Sequence, residues 1–217
     1  MMFQRVVAIA VALISAGPLA AADLAVSIAD ARHAPVADAV VSVVPANGTT
    51  PPAQRSTPET RTIDQKNEQF IPYVEIFRPG DSVVFHNSDQ TRHHVYSFAP
   101  ARQFEFVVTP GETSAPVRLD HPGSVAVGCN IHDRMITYLY ISDAPWIARS
   151  GADGRATIVG LGPGDYTVHV WHPQQKPGEA EPVRTLHVGE GNPAPLAFTL
   201  NLLPDPRTRP DRERANY

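Results

Sequence analysis

A cysteine, a histidine and a methionine stand close together in the chain, at Cys129, His132 and Met135. Thiolate, imidazole and thioether groups are soft or borderline ligands for transition metals. A tight loop leaving a strand can direct all three side chains towards one point, so the C-x2-H-x2-M spacing predicts a metal site. Taken alone the spacing is weak evidence, and one alternative is that Met135 is only the first residue of the strand that follows.

Cys129 is the only cysteine of the 217 residues. The chain starts with a short basic segment, continues with an apolar run over 6–16 and reaches small residues at 20–22, which is the order of a secretory signal peptide. We therefore expect export to the periplasm and no transmembrane segment, because no later apolar run is long enough to span a bilayer. An unpaired cysteine is unusual in an oxidising compartment, so Cys129 is buried, bonded to another molecule or held as a metal ligand.

The elements that must position these side chains are predicted to be β-strands. The chain has 22 prolines and 14 glycines and no sustained 3.6-residue apolar period, which argues against a helical bundle. Short alternating runs separated by Pro-Gly turns are typical of an all-β protein. The clearest runs cover 24–28, 39–44, 73–77, 82–85, 104–108, 124–129, 136–141, 156–159, 166–171 and 196–202.

One further ligand is needed if the cysteine loop binds copper. A blue-copper site combines two histidines and a cysteine in one plane with a weak axial methionine, and the loop holds only one histidine. The second must come from elsewhere in the chain, and His93 and His94 follow a predicted strand. Either of them can supply it.

Several motifs run through the middle of the chain in a fixed order. They are Phe70-x-Pro72, Pro79-Gly80-Asp81-x-Val83-x-Phe85-x-Asn87-x-Asp89, Pro110-Gly111-Glu112, and Pro122-Gly123 before the cysteine loop. In this order they resemble the cupredoxins, most closely the short amicyanin and plastocyanin type. The resemblance implies a Greek-key β-sandwich holding one type 1 copper ion. It also implies four ligands, with the first histidine six residues after the strand-ending asparagine: His93, Cys129, His132 and Met135.

Positions beside the implied ligands depart from the cupredoxin pattern. Ile131 and Arg92 stand where many cupredoxins have proline, and Asp133 and Arg134 follow His132 in place of apolar residues. None of these changes removes a ligand. We therefore expect the exposed edge of His132 to meet partners through charges rather than through an apolar patch.

The segments on either side of this region resemble parts of one carboxypeptidase regulatory-like, or transthyretin-like, β-sandwich. The cupredoxin is then either inserted into this regulatory-like sandwich or packed beside it, and the alternative is that the N-terminal hairpin extends the copper domain. The predicted order is a signal peptide over 1–22, first strands of the regulatory-like sandwich over 23–48, the cupredoxin domain over 61–143, the rest of the regulatory-like sandwich over 146–203 and a flexible tail over 204–217.

The combination of segments, with the string Arg-His-His-Val-Tyr-Ser-Phe over 92–98, resembles bacterial exported proteins called methylamine utilisation proteins. No residue identifies methylamine itself. Catalytic signatures such as H-E-x-x-H and G-x-S-x-G are absent, so we expect no enzyme activity. The net charge of -4 gives no reason to expect nucleic acid as a partner.

The resemblance implies a periplasmic protein that passes single electrons between redox protein partners. We expect these to be an exported dehydrogenase and a c-type cytochrome or similar acceptor. Two alternatives stay open from the sequence. One is a module that delivers or holds copper, and the other is a non-redox β-sandwich that binds a polymer or a larger complex.

Overall fold

The computed structural model describes residues 21–48 and 57–208, so the predicted signal peptide lies outside the described residues except for its last two. Within these ranges the chain is nearly all β, as predicted, with one short 3-10 helix over Pro206–Thr208. No helix of the described part is long and apolar enough to cross a membrane. The strands are β1 (Ala22–Asp30), β2 (Val40–Pro45), β3 (Thr60–Gln65), β4 (Phe70–Ile71), β5 (Val74–Phe77), β6 (Asp81–Asn87), β7 (His93–Ala99), β8 (Arg102–Val108), β9 (Val117–Leu119), β10 (Gly123–Cys129), β11 (Ile136–Ile141), β12 (Trp146–Arg149), β13 (Arg155–Leu161), β14 (Gly164–Trp171), β15 (Val183–Val188) and β16 (Leu196–Leu200).

The first sandwich is built from both ends of the described chain. One sheet has the strand order β13-β1-β16 and the other has the order β12-β2-β14-β15. Residues at alternate positions, such as Leu24, Val41 and Val168, are buried in the core that the two sheets share. This alternation is the period-2 pattern that the sequence displays.

The second sandwich contains β3 to β11. Its sheets have the orders β4-β3-β6-β9 and β5-β11-β10-β7-β8. Phe77, Phe85 and Leu139 lie fully buried in its core, together with Cys129 and Met135. All of its strands lie between β2 and β12, which pair with each other in the first sandwich. The connectivity therefore places the second sandwich inside the first as an insertion.

Aromatic and apolar side chains join the two sandwiches. Trp171 at the end of β14 lies against Tyr138 and Tyr140 of β11, with ring centroids 6.2 and 4.7 Å apart. Beside them, the guanidinium of Arg207 lies 3.5 Å from the centre of the Tyr73 ring. Arg207, a residue of the predicted flexible tail, thus contacts the fold, and residues 209–217 lie outside the described residues.

Candidate metal centre

The loop between β10 and β11 holds Cys129, His132 and Met135 close together. The Cys129 N–H donates to the Met135 carbonyl at 3.2 Å, and the Met135 N–H donates to the His132 carbonyl at 3.0 Å. These bonds extend the β10–β11 pairing by one step and close a tight turn around His132. The residues from Cys129 to Met135 therefore form the tight loop that the sequence predicts.

His93 reaches the same place from β7. The residue is fully buried, and Val95, two positions later, pairs with Cys129 across the sheet. His94 points to the other face because successive side chains of a strand alternate, and its Nε2 atom lies 2.8 Å from the Glu105 carboxylate. Of the two candidate imidazoles, the structure brings that of His93 and not that of His94 to the cysteine and His132 side chains.

Three potential ligand atoms converge at the end of the second sandwich. One donor atom from each of His93, Cys129 and His132 lies within 4.8 Å of the other two, and the described residues contain no other such group of histidine, cysteine and acidic side chains. The Cys129 Sγ atom is 3.8 Å from His93 Nδ1. The two imidazole rings have centroids 5.3 Å apart.

One atom of this group lacks a hydrogen-bond partner. His132 Nδ1 is buried and bonds to no other protein atom in the described part of the chain. Buried polar atoms are normally satisfied, and a metal ion between the two imidazoles and the thiol would satisfy this one. Two imidazoles and a thiolate are a donor set that suits copper, so the residues present fit the implied metal.

Met135 lies in the same loop and is only 1% exposed. It belongs to the core that also contains Cys129. The thioether is thus inside the protein at the correct end of the sandwich. Its role as axial ligand stays a prediction.

The surroundings of Cys129 favour its thiolate. Burial raises the pKa of the thiol, but hydrogen bonds from the His93 imidazole and from the backbone N–H groups of Ile131, His94 and His132 outweigh burial and lower it. Burial lowers the pKa of His93, and the neighbouring Cys129 and Asp89 outweigh that effect and raise it. Because the thiolate is the form that binds metals, Cys129 is prepared to act as a ligand.

Two carboxylates beside the histidines were not identified as site residues from the sequence. Asp89 accepts a hydrogen bond from His93 Nε2 at 2.9 Å. Glu68 pairs with Arg134 at 2.8 Å and lies 3.8 Å from His132 Nε2. The four-residue spacing from Asp89 to His93 is the only sequence signal for the first contact, whereas Glu68 comes from a distant hairpin and leaves no such signal.

Comparison with known proteins gives no assignment by sequence, because no protein-family model and no curated protein matches the chain. Among solved structures, a Cu-containing nitrite reductase from Thermus scotoductus is 20% identical over 44% of this chain, with a TM-score of 0.37, and the match spans only 25% of that enzyme. A purple cupredoxin from Nitrosopumilus maritimus is 15% identical over 37% of this chain and 98% of its own, with a TM-score of 0.33. Amicyanin from Paracoccus versutus is 14% identical over 46% of this chain and 91% of its own, with a TM-score of 0.35.

These likenesses are too weak to assign a function, so the case for a metal rests on the donor atoms described above. The resemblances to methylamine utilisation proteins and to a regulatory-like sandwich find no support in the comparisons. Both stay predictions from the sequence.

Proposed function

We propose that this protein is an electron carrier that holds one type 1 copper ion through His93, Cys129 and His132, with Met135 as the axial ligand. The observation that carries the proposal is the convergence of three donor atoms within 4.8 Å. The unpartnered ring nitrogen of His132 lies among them. A copper ion bound in this way supplies one-electron chemistry between Cu(I) and Cu(II).

The protein's contribution to this function is a rigid set of ligands. His93 is fixed in β7, Cys129 ends the neighbouring strand β10, and His132 is held in a turn closed by backbone hydrogen bonds. Donors fixed in this way keep their positions when the charge at the site changes. Little structural rearrangement then accompanies electron transfer, which favours a carrier.

The donor atoms are enclosed by protein, which closes the site to substrates, and one edge of the site reaches solvent. His93 is fully buried and Cys129 is 4% exposed, whereas the His132 side chain is 14% exposed. An electron can pass through the exposed imidazole edge without any molecule entering the site. This arrangement favours exchange with another redox protein over catalysis on a bound substrate.

Charged side chains surround that edge. Asp133 is exposed, and Arg134 forms an ion pair with Glu68 beside His132. We propose that redox partners, an exported dehydrogenase and a c-type cytochrome, dock here in the periplasm with complementary charges. Association guided by exposed charges weakens as ionic strength rises, so electron exchange with the natural partner should slow in high salt.

The proposal is tested by adding Cu(II) to the metal-free protein and recording the visible spectrum. The expected result is one bound copper and an intense thiolate-to-copper charge-transfer band that colours the protein blue. Cys129→Ser should abolish the band. His94→Ala is the matched control, because His94 neighbours His93 and faces Glu105, and it should leave the band unchanged. A colourless oxidised protein would contradict the proposal.

A further inference from the structure

Asp89 is held more firmly than an ordinary loop carboxylate. Its side chain accepts hydrogen bonds from the backbone N–H groups of Asn67 at 2.6 Å and Glu68 at 3.0 Å. Its own backbone N–H donates to Asn87 Oδ1 at 2.9 Å. The carboxylate therefore has a fixed position, and it also accepts the hydrogen bond from His93.

The two donors come from a different hairpin. Asn67 and Glu68 form the tip between β3 and β4, and both have left-handed backbone conformations, with φ of 56° and 55°. The residues on either side, Lys66 and Gln69, bond to each other through their backbones at 2.9 and 3.2 Å. Such a turn directs its two central N–H groups to one side, where the Asp89 carboxylate receives both.

The fixed carboxylate of Asp89 bears on the metal site because it contacts the ring of His93. Its Nε2 atom is 2.9 Å from Asp89 Oδ2, while its Nδ1 atom is 3.8 Å from Cys129 Sγ. A carboxylate that accepts the Nε2 hydrogen keeps that hydrogen in place when a metal binds. Nδ1, beside the cysteine, is then the nitrogen that gives up its hydrogen and offers its lone pair to the metal. A histidine ligand is commonly held in this way by a carboxylate on its second nitrogen.

We propose that Asp89 is the positioning residue of the copper site, which fixes the tautomer and orientation of His93 and makes it a more basic ligand. The inference rests on the proposed copper function. A negative charge bonded to a ligand stabilises Cu(II) more than Cu(I), so Asp89 lowers the reduction potential. The β3–β4 hairpin, through its hold on Asp89, belongs to the outer support of the site.

The chain offers a matched control for the charge alone. Glu105 bonds to His94 Nε2 at 2.8 Å, nearly the same length as the Asp89–His93 bond, but on the outer face of the same strand. Glu105→Gln therefore removes one negative charge from a histidine that does not face Cys129. A variant of Asp89 and a variant of Glu105 change the net charge equally.

The test measures two properties of the full chain. The first is Zn(II) affinity, by competition with a coloured chelator, and the second is the reduction potential of the copper-loaded protein. Asp89→Ala should weaken Zn(II) binding about 10- to 100-fold, as for other outer partners of metal ligands. Asp89→Asn should weaken Zn(II) binding about tenfold. It should also raise the reduction potential by ~59 mV, which for one electron corresponds to a tenfold change in the affinity for Cu(I) relative to Cu(II).

Glu105→Gln should change the Zn(II) affinity less than about threefold. Its reduction potential should move by less than about a threefold change in relative Cu(I) and Cu(II) affinity. The decisive variant is Asp89→Asn, because it keeps the side-chain volume and an acceptor oxygen and so remains informative even if Asp89→Ala misfolds. Equal behaviour of Asp89→Asn and Glu105→Gln would overturn the inference while leaving the copper function intact. A wild-type protein that binds Zn(II) but gives no blue copper form would contradict the proposed function, and the Zn(II) comparison would still decide the role of Asp89. Binding of neither metal would overturn both proposals.

Discussion

Asn87 connects the fold to the candidate metal centre, and its removal is the perturbation with the clearest expected effect. The residue is completely buried at the end of β6. Its Nδ2 donates to the carbonyl groups of Thr91 and Val108 at 2.8 and 2.9 Å. Its Oδ1 accepts the N–H of Asp89 at 2.9 Å. One side chain thus closes the loop that leads to His93.

The variant Asn87→Ala removes all three hydrogen bonds at once. Each contributes about 0.5–1.5 kcal/mol to stability, and a buried partner left unsatisfied costs about 1–3 kcal/mol. We therefore expect the free energy of unfolding of the second sandwich to fall by about 3 kcal/mol. Since about 1.4 kcal/mol corresponds to a tenfold change in an equilibrium constant, its open form should become more than about 100-fold more populated.

The single thiol provides the assay. Cys129 is 4% exposed and is the only cysteine of the chain, so its reaction with a coloured thiol reagent in the metal-free protein reports opening of the second sandwich. Labelling of Asn87→Ala should be about 100-fold faster than labelling of the wild type when opening is rapid. Asn201→Ala, which changes an exposed asparagine outside this sandwich, should label within about threefold of the wild type. Equal labelling rates for Asn87→Ala and the wild type would refute the reasoning.

Three further predictions concern the axial position, the junction of the sandwiches and pH. Met135→Leu should keep the blue colour and shift the reduction potential, because the axial ligand tunes the potential of such a site; a colourless variant or an unshifted potential would contradict the axial assignment. Arg207→Ala should lower the free energy of unfolding in urea by about 0.5–2 kcal/mol, because it removes the cation–π contact with Tyr73; no change would mean that this contact contributes nothing. Burial lowers the pKa of His172 from 6.5 to about 4, so the neutral form stabilises the fold above pH 6.5 and up to about 3 kcal/mol is lost as pH falls towards 4. His172→Gln should flatten urea stability over that pH window, and an unchanged slope would contradict the assignment.

The strands that could be predicted from sequence are those with strong apolar alternation. Positions such as Leu24, Val26 and Ile28 in β1 alternate with exposed residues, and that pattern depends only on which face is buried. The strand β3 is not among the predicted runs, because only Ile63 and Gln65 of its six residues are buried. It forms through parallel pairing with β6, a long-range contact that leaves no local pattern.

The structure also differs over 142–155, where no strand run is predicted. This segment contains the strand β12, which pairs with β2 along Trp146 to Arg149. The pairing joins chain segments separated by the whole second sandwich, so neither segment shows it alone. The strand β15 is absent from the predicted runs for the same reason as β3, because only two of its six residues, Leu186 and Val188, are buried.

The candidate site was predictable to the extent that it is local. Cys129, His132 and Met135 lie within one loop, so their spacing is visible in the sequence. His93 differs from His94 because it lies on the same face of β7 as the buried Val95. Asp89 acquires its role only when the tip of another hairpin supplies Asn67 and Glu68 as donors. Contacts of that kind depend on how the sheets pack.

The proposed copper ion, held by His93, Cys129 and His132, exchanges single electrons. A spectroelectrochemical titration of the copper-loaded protein tests this exchange most directly, by following the blue band as the applied potential is changed. The predicted result is complete and reversible bleaching that follows a one-electron Nernst curve, with one electron per bound copper. A band that fails to bleach, or copper that is lost on reduction, would contradict the proposal.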